Sequence, residues 1–255
     1  MKYIISFVIR KIPRKYLQLF SHFFLRILAV FYRGNNVACP VCQHRFRKFL
    51  PYGRVNPRPN ALCPSCLALE RHRLMWLYLQ QKTNFFTANL KVLHVAPELC
   101  FIKRFEAMPN LDYITADIES PLAKVKMDLH DIPFEQGTFD VAFCNHVMEH
   151  VTDDIQCMKE LYRVLKPGGW AIIQSPMDFD RAETYEDASI TSPAEREKAF
   201  LQSDHLRLYG MDYHERLEKA GFKVTVDYFV QEVDKQERER YALPKQEIIY
   251  FCQKS

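Results

Sequence analysis

The run FDVAFCN, Phe139–Asn145, decides how this chain folds. It is a short apolar segment entered through a turn at Gln136-Gly137, and it reads as a strand. Working outward, KVLHVA (91–96) reads as a first strand, DYITAD (112–117) as a second and WAIIQSP (170–176) as another. KVTVDYF (223–229) and EIIYFC (247–252) supply a closing pair, and DYHERLEKAGF (212–222) is a helix stopped at Gly221. Strands alternating with helices make an α/β, doubly wound, mostly parallel sheet with an antiparallel C-terminal strand. Ligands of such sheets sit at the carboxyl ends of the strands.

A chain of 255 residues can bury one substantial core and carry a small appendage. Its net charge of +4 conceals an asymmetry: residues 1–69 hold twelve Lys and Arg and no acid, so the remainder is net acidic. Any anionic partner belongs at the N-terminal end.

There, MKYIISFVIRKIPRKYLQLFSHFFLRILAVFYR (1–33) lacks a small-residue cleavage site and is a poor membrane span, because Arg26 interrupts an apolar run shorter than about 20 residues. Lys15, Gln18, His22, Arg26 and Arg33 form a polar stripe opposite Leu17, Phe20, Phe24, Ile27, Leu28 and Phe31. The basic amphipathic arm, residues 1–36, therefore fits a peripheral contact of residues 1–33 with the inner membrane face. Packing on the protein's own core and contact with another subunit are the alternatives.

Eight cysteines in a long chain argue for metal binding in a reducing, cytoplasmic compartment over a disulfide framework. Cys100, Cys144, Cys157 and Cys252 are isolated among apolar residues and read as buried small hydrophobes. CPVC (Cys39, Cys42) and CPSC (Cys63, Cys66) are two knuckles joined by a turn-rich stretch, the pattern of a zinc ribbon. Four thiolates with no spare position favour a structural Zn²⁺. His44 and His72 lie outside the knuckle spacing and read as surface residues. LALERHRLMWLYLQQ (67–81) is a helix leading out of this module, which spans residues 37–85.

The strand series carries a further pattern, DIPFEQGTFDVAFCNHVMEHV (131–151) followed by ELYRVLKPGGWAII (160–173). It resembles class I S-adenosylmethionine-dependent methyltransferases of the type 11 kind, over about residues 90–252 within a domain of residues 86–255. Each motif alone is weak, and their order and spacing together are specific. The resemblance implies a Rossmann-like fold and S-adenosylmethionine as cofactor. It places Asp117 on the ribose hydroxyls, Asp128 on the adenine amino group, Leu129 beside the ring, and Asn145 and His146 on the methyl-donor side of the cleft. Glu149 and His150 match the family's EH pair, as helix-packing or as site residues. LKPGG (165–169) is a structural stop and turn.

The opening strand departs from the family pattern, which would have an acid at His94 and glycines at Ala96 and Glu98. S-adenosylmethionine has no phosphate, so the need for close backbone approach is weaker than in a dinucleotide site. Ala96 keeps the turn small, Pro97 presets a helix start, and Glu98 is expected to accept from the ligand's ammonium in place of the missing acid. His94, Ala96 and Glu98 thus join the expected cofactor contacts.

An acidic insertion, about residues 177–210, lies where this family builds its substrate lid; Asp178 to Asp204 holds eight acids and three bases. Such a lid is poorly suited to a phosphate backbone. His205 and Arg207 beyond it read as cleft residues or as surface and hinge residues. A base is needed only if the acceptor must lose a proton, and His146, then His205, are the catalytic candidates. Three functions remain open: methylation of a small-molecule or glycan-precursor acceptor, methylation of rRNA or tRNA gripped by the basic zinc module, and a non-catalytic, zinc-stabilised binding protein. RNA is the less favoured partner, because the lid is acidic.

Overall fold

The computed structural model describes residues 29–53 and 57–255. Residues 1–28, which hold most of the amphipathic arm and its expected membrane face, lie outside the described residues. Among the described residues no helix is long and apolar enough to cross a membrane.

The chain divides into two compact units, residues 1–83 with 230–247 and residues 84–229 with 248–255. The first begins with β1 (Arg33–Ala38) paired antiparallel to β2 (Arg45–Phe46), and β3 (Leu50–Tyr52) paired antiparallel to β4 (Arg58–Leu62). A helix, α1 (Glu70–Lys82), follows. It starts later than its apolar pattern suggested, because Leu67 takes a left-handed backbone (φ 65°) in the second knuckle. His72 is a correction: it is buried, and its Nδ1 accepts the backbone N–H of Leu69 at the helix start. His44 is exposed, as its spacing suggested.

Assigning everything after residue 86 to the sheet domain missed the return of Val230–Glu247 to the first unit. Lys82 pairs with Glu232 at 2.6 Å, and one buried side chain does more. Arg73 of α1 is fully buried and donates from Nε to the carbonyl of Tyr241 and from Nη2 to that of Ala242, while Nη1 serves Ala61 and Ala68. An unpaired buried guanidinium is costly, so the carbonyls of Tyr241 and Ala242 help to commit the segment.

The second unit is built on β5 (Leu90–Val95), α2 (Leu99–Glu106), β6 (Leu111–Asp117), β7 (Val125–Lys126), β8 (Phe139–Asn145), α3 (Asp154–Val164) and β9 (Leu165–Gln174). The lid insertion holds β10 (Tyr185–Glu186), α4 (Pro193–Phe200) and β11 (Arg207–Leu208). Then come α5 (Tyr213–Lys219), β12 (Lys223–Asp227), α6 (Phe229–Glu232), α7 (Lys235–Arg240) of the first unit, and β13 (Ile249–Gln253). The seven-stranded sheet runs β12-β13-β9-β8-β5-β6-β7. Only β13 opposes its neighbours; the other pairings are parallel. The fold is therefore Rossmann-like with an antiparallel strand near one edge, as the strand pattern implied. Its central strands are apolar because both faces are covered: Val92, Leu93, Val141, Ala142, Phe143 and Cys144 have no exposed surface.

The expected turn motifs do structural work here. LKPGG is a bulge at the entry of β9, where the pairing jumps from Leu165 to Trp170. Gly168 sits at φ 76°, and a Cβ on Gly169 would lie 2.9 Å from the carbonyl oxygens of Asp140 and Lys166, so neither position admits a side chain without strain. Asp140 accepts the backbone N–H of Lys91 and pairs with Lys166 Nζ at 2.8 Å, locking the starts of β5, β8 and β9 together. The IPF turn is held by Glu160, which accepts Ile132 N–H, and by Arg163, which donates to the carbonyls of Ile132 and Phe134. Lys254 Nζ donates to the carbonyls of Tyr162, Arg163 and Leu165, satisfying the end of α3.

Candidate functional site

In the first unit the four cysteines converge. Cys39 Sγ lies 3.6 Å from Cys66 Sγ, and Cys42 Sγ 3.7 Å from Cys63 Sγ. Ligands about 2.3 Å from a tetrahedral ion sit about 3.8 Å apart, so the cage already has the size of a zinc–tetrathiolate centre. The knuckles are near copies: Gln43 and Leu67 each take a left-handed backbone, and their N–H groups donate to the carbonyls of Cys39 and Cys63. Packed this closely the sulfurs share protons: hydrogen bonding from Cys39 pulls Cys42 down toward thiolate, and the same neighbour pushes Cys66 up. A cation removes that conflict. Burial draws the pKa of the Arg73 guanidinium down, and the negative charge of the cysteine cluster and of Glu70 opposes it only in part.

In the second unit, parallel pairing aligns the carboxyl ends of β5, β6 and β8: Val95 stands opposite Ala116 on one side and Cys144 on the other. The turn beyond β5 begins with Ala96 at φ 47°, a conformation that costs an alanine about 1–2 kcal/mol relative to the right-handed region. Its N–H donates to the carbonyl of Ala116. Pro97 does not open the helix, whose first residue is Leu99 with Glu98 as its N-cap, because the left-handed Ala96 delays the start.

Glu98 does not stand free for a ligand's ammonium. Oε2 accepts from His94 Nε2 at 2.5 Å and Oε1 from Asn145 Nδ2 at 3.0 Å. His94 Nδ1 in turn meets Tyr113 Oη at 2.7 Å. A chain of polar contacts, Tyr113–His94–Glu98–Asn145, thus ties β6, β5, α2 and β8 together. Contact between the His94 ring and a cofactor is corrected as well: the ring has no exposed surface and is enclosed by Phe101, Phe105, Tyr113 and Phe143. His94 Nε2 donates to the Glu98 carboxylate, which can only accept, and the Tyr113 hydroxyl, which can donate or accept, pairs with Nδ1.

Asp117 ends β6. Its Oδ1 accepts the N–H groups of Glu119 and Ser120, and Oδ2 carries no hydrogen bond among the described residues. Beside it Ile118 exposes more than half its surface. A free carboxylate oxygen next to an uncovered apolar side chain suits a sugar with an attached ring. Asp128 lies close by in sequence and contact, since Met127 N–H donates to the carbonyl of Asp117. Its Oδ1 accepts from the backbone and ring of His130, which hold its pKa below the usual carboxylate range. Leu129 is buried in the core of the unit.

After β8, His146 takes φ 57°, and its N–H donates to the carbonyl of Gln174. Its Nδ1 lies 3.6 Å from Glu149 Oε1, and its Nε2 is buried with no hydrogen-bond partner among the described residues. Glu149 is buried; burial alone would raise its pKa, but the imidazole of His146 outweighs it and holds the carboxyl down. His205 is buried too, and desolvation lowers its pKa, keeping it neutral near pH 7. Arg207 is buried, and its guanidinium is taken up by protein partners. It pairs with Glu186 at 2.9 Å and donates to the carbonyls of Met148, Val151 and Thr152, clamping the lid to the loop after β8.

So Ala96, Glu98, Asp117, Asn145 and His146 gather along one edge of the sheet, with Asp128 and Leu129 at its β7 end. The cysteines form a separate centre in the other unit. Residues 89–173 match the family model described as a methyltransferase domain. This segment is therefore similar to a methyltransferase domain. Among solved structures, an S-adenosylmethionine-dependent methyltransferase from Mesorhizobium loti superposes with a TM-score of 0.51 at 14% identity, covering 71% of this chain and 98% of that one, which is a likeness of fold. Among curated relatives, a tRNA U34 carboxymethyltransferase of Nautilia profundicola is 38% identical over 130 residues, 51% of this chain and 40% of that protein. A sterol 4-C-methyltransferase of Caenorhabditis elegans is 37% identical over 99 residues, 38% of this chain and 28% of that one. The matches to these relatives span less than half of their length. The matched segment holds every expected cofactor contact and His146, whereas His205 and the four cysteines lie beyond residues 89–173. Glu149, Ser175 and Tyr113 are polar members of the site region that the sequence offered only weakly, through the EH and QSP motifs or not at all.

Proposed function

We propose that this chain is an S-adenosylmethionine-dependent methyltransferase acting on a small-molecule or glycan-precursor acceptor. The observation that carries the reading is Asp117, which presents one free carboxylate oxygen at the carboxyl end of β6 within the methyltransferase domain. A carboxylate can accept both vicinal hydroxyls of a ribose. Asp128 would take the adenine amino group and Leu129 flank the ring, while Asn145, held by Glu98, would line the methyl side. Glu98 and His94 serve by fixing the turn at Ala96. The cofactor supplies an activated methyl group, so the protein's task is chiefly to align an acceptor with it. For a hydroxyl acceptor, His146 is positioned to take the proton, with Glu149 Oε1 at 3.6 Å to stabilise the resulting imidazolium; His205, neutral and buried, is the second candidate.

The tetrathiolate cage would hold a structural Zn²⁺, stabilising a small module that has little core of its own. The acidic lid favours an acceptor without a phosphate backbone. The twelve bases of residues 1–69 support a peripheral inner-membrane contact of a cytoplasmic protein; they also favour the second reading, an RNA methyltransferase, to which the tRNA-modifying relative lends support.

Calorimetry with S-adenosylhomocysteine tests the enzyme reading: the wild-type chain should bind, and Asp117→Ala should lose about tenfold or more, the size of a hydrogen bond to a charged group. No heat from the folded wild-type chain overturns it. RNA affinity that falls steeply with salt would favour the second reading.

A further inference from the structure

Beyond the cofactor edge, a second cluster stands in the second unit: Glu149 after β8, His150 beside it, and His205 at the end of the lid. One ligand atom from each lies within 4.8 Å of the others. Four features set it apart from incidental neighbours.

The carboxylate is buried and aimed. Ser175 Oγ donates to Glu149 Oε2 at 3.1 Å, leaving Oε1 to face the imidazoles. That oxygen sees His146 Nδ1 at 3.6 Å and His150 Nε2 at 3.8 Å, ion-pair separations too long for hydrogen bonds.

The two other histidines have their tautomers set from behind. His150 Nδ1 lies 3.2 Å from the carbonyl of Asp204, and His205 Nδ1 lies 3.2 Å from the carbonyl of Phe200. A carbonyl only accepts, so each Nδ1 carries a proton, which leaves Nε2 as the nitrogen that can ligate. This backbone anchoring is the arrangement that orients metal-ligating histidines.

The rings face each other edge-on with centroids 4.8 Å apart, and burial differs between them: Glu149 and His205 are enclosed, while His150 is exposed. A site with three protein ligands and one open side keeps a coordination position for an incoming ligand. Ligands about 2.1 Å from a metal sit roughly 3–4 Å apart, so rotation of the exposed His150 closes the set. Finally, His146 adjoins it with a buried Nε2 that has no hydrogen-bond partner among the described residues, a further nitrogen at the rim.

We propose that Glu149, His150 and His205 form a divalent transition-metal site, distinct from the cysteine cage, whose open position binds an oxygen ligand such as an acceptor hydroxyl. Two imidazoles and one carboxylate select Mn²⁺, Fe²⁺, Co²⁺ or Zn²⁺ over Mg²⁺ or Ca²⁺. Metal binding stands independently of methyl transfer; only the acceptor role rests on that reading.

The test uses the full chain with its cysteine cage loaded with zinc. Added Mn²⁺, followed by loss of the free-ion electron paramagnetic resonance signal, should bind at one ion per chain. Added Co²⁺ should give d–d bands without the thiolate charge-transfer band that a cysteine site would show. His150→Gln, at an exposed position where misfolding is not at issue, and Glu149→Gln should each weaken Mn²⁺ by at least the roughly 10–100-fold that loss of a mere supporting residue costs. Their zinc content should not change. Absence of Mn²⁺ and Co²⁺ binding, thiolate bands with Co²⁺, or unchanged affinity in His150→Gln overturns the site. Failure of S-adenosylhomocysteine binding alongside intact metal binding would refute the methyl-transfer reading and leave the metal site standing.

Discussion

Replacing Glu98 with glutamine keeps its shape and removes its charge, which makes it a direct probe of the Tyr113–His94–Glu98–Asn145 chain. In the native protein both carboxylate oxygens accept, one from His94 Nε2 and one from Asn145 Nδ2. The amide offers a single acceptor and turns an NH₂ group toward the other donor. Hydrogen bonds to a charged group are each worth about 1.5–3 kcal/mol net, and one is lost outright, so Glu98→Gln should destabilise the second unit by about 2–3 kcal/mol. Urea denaturation followed by tryptophan fluorescence measures this through Trp170, which is buried on β9. A double-mutant cycle with His94→Phe, which preserves ring volume among Phe101, Phe105 and Phe143, should show a coupling of about 1–2 kcal/mol, the range for residues in one network. Affinity for S-adenosylhomocysteine should fall together with stability, because the same contact sets the turn at Ala96. Stability unchanged to within about 0.5 kcal/mol would refute the reasoning. If affinity fell while stability held, the carboxylate would be serving the ligand directly, as the sequence alone suggested.

Three further outcomes are expected. Cys63→Ser should lower zinc content below one ion per chain and shift the thermal transition of the first unit, as measured by atomic absorption and calorimetry; equal zinc and equal stability would dissociate the cage from metal. Asp154 is buried, and although burial opposes it, pairing with Arg216 at 2.7 Å and the charge of Arg207 hold its pKa down. A depressed folded pKa contributes stability that is complete above the unfolded value of about 3.9 and is lost as pH falls through the folded one, so Asp154→Asn should flatten the acid limb of the stability profile. Residues 1–33 should float the chain with anionic liposomes, and their deletion should abolish flotation; equal flotation ends the membrane proposal.

The main strands, the antiparallel C-terminal strand and the cysteine cage were legible in the sequence because each has a local signature: apolar runs of strand length, a chain-terminal pair, and two Cys-x-x-Cys knuckles. The positions of Asp117 and Asn145 followed in the same way, since a residue that ends a parallel strand must stand at the carboxyl edge of the sheet. Other features depend on which side chains meet across the fold. Glu98 looked available to a ligand because nothing in VLHVAPE reveals that His94 and Asn145, from two different strands, reach it first. Val230–Glu247 read as part of the sheet domain because its membership rests on contacts distant in sequence, such as the Arg73 guanidinium meeting carbonyls more than 160 residues away. Arg207 stayed open between a cleft and a hinge residue until its carbonyl partners were in place, and Glu149 became more than half of an EH pair only when the insertion brought His205 beside it. Periodicity and spacing report which backbone a segment will adopt. Hydrogen-bond and charge satisfaction in the interior is a long-range condition, settled only once the elements are packed.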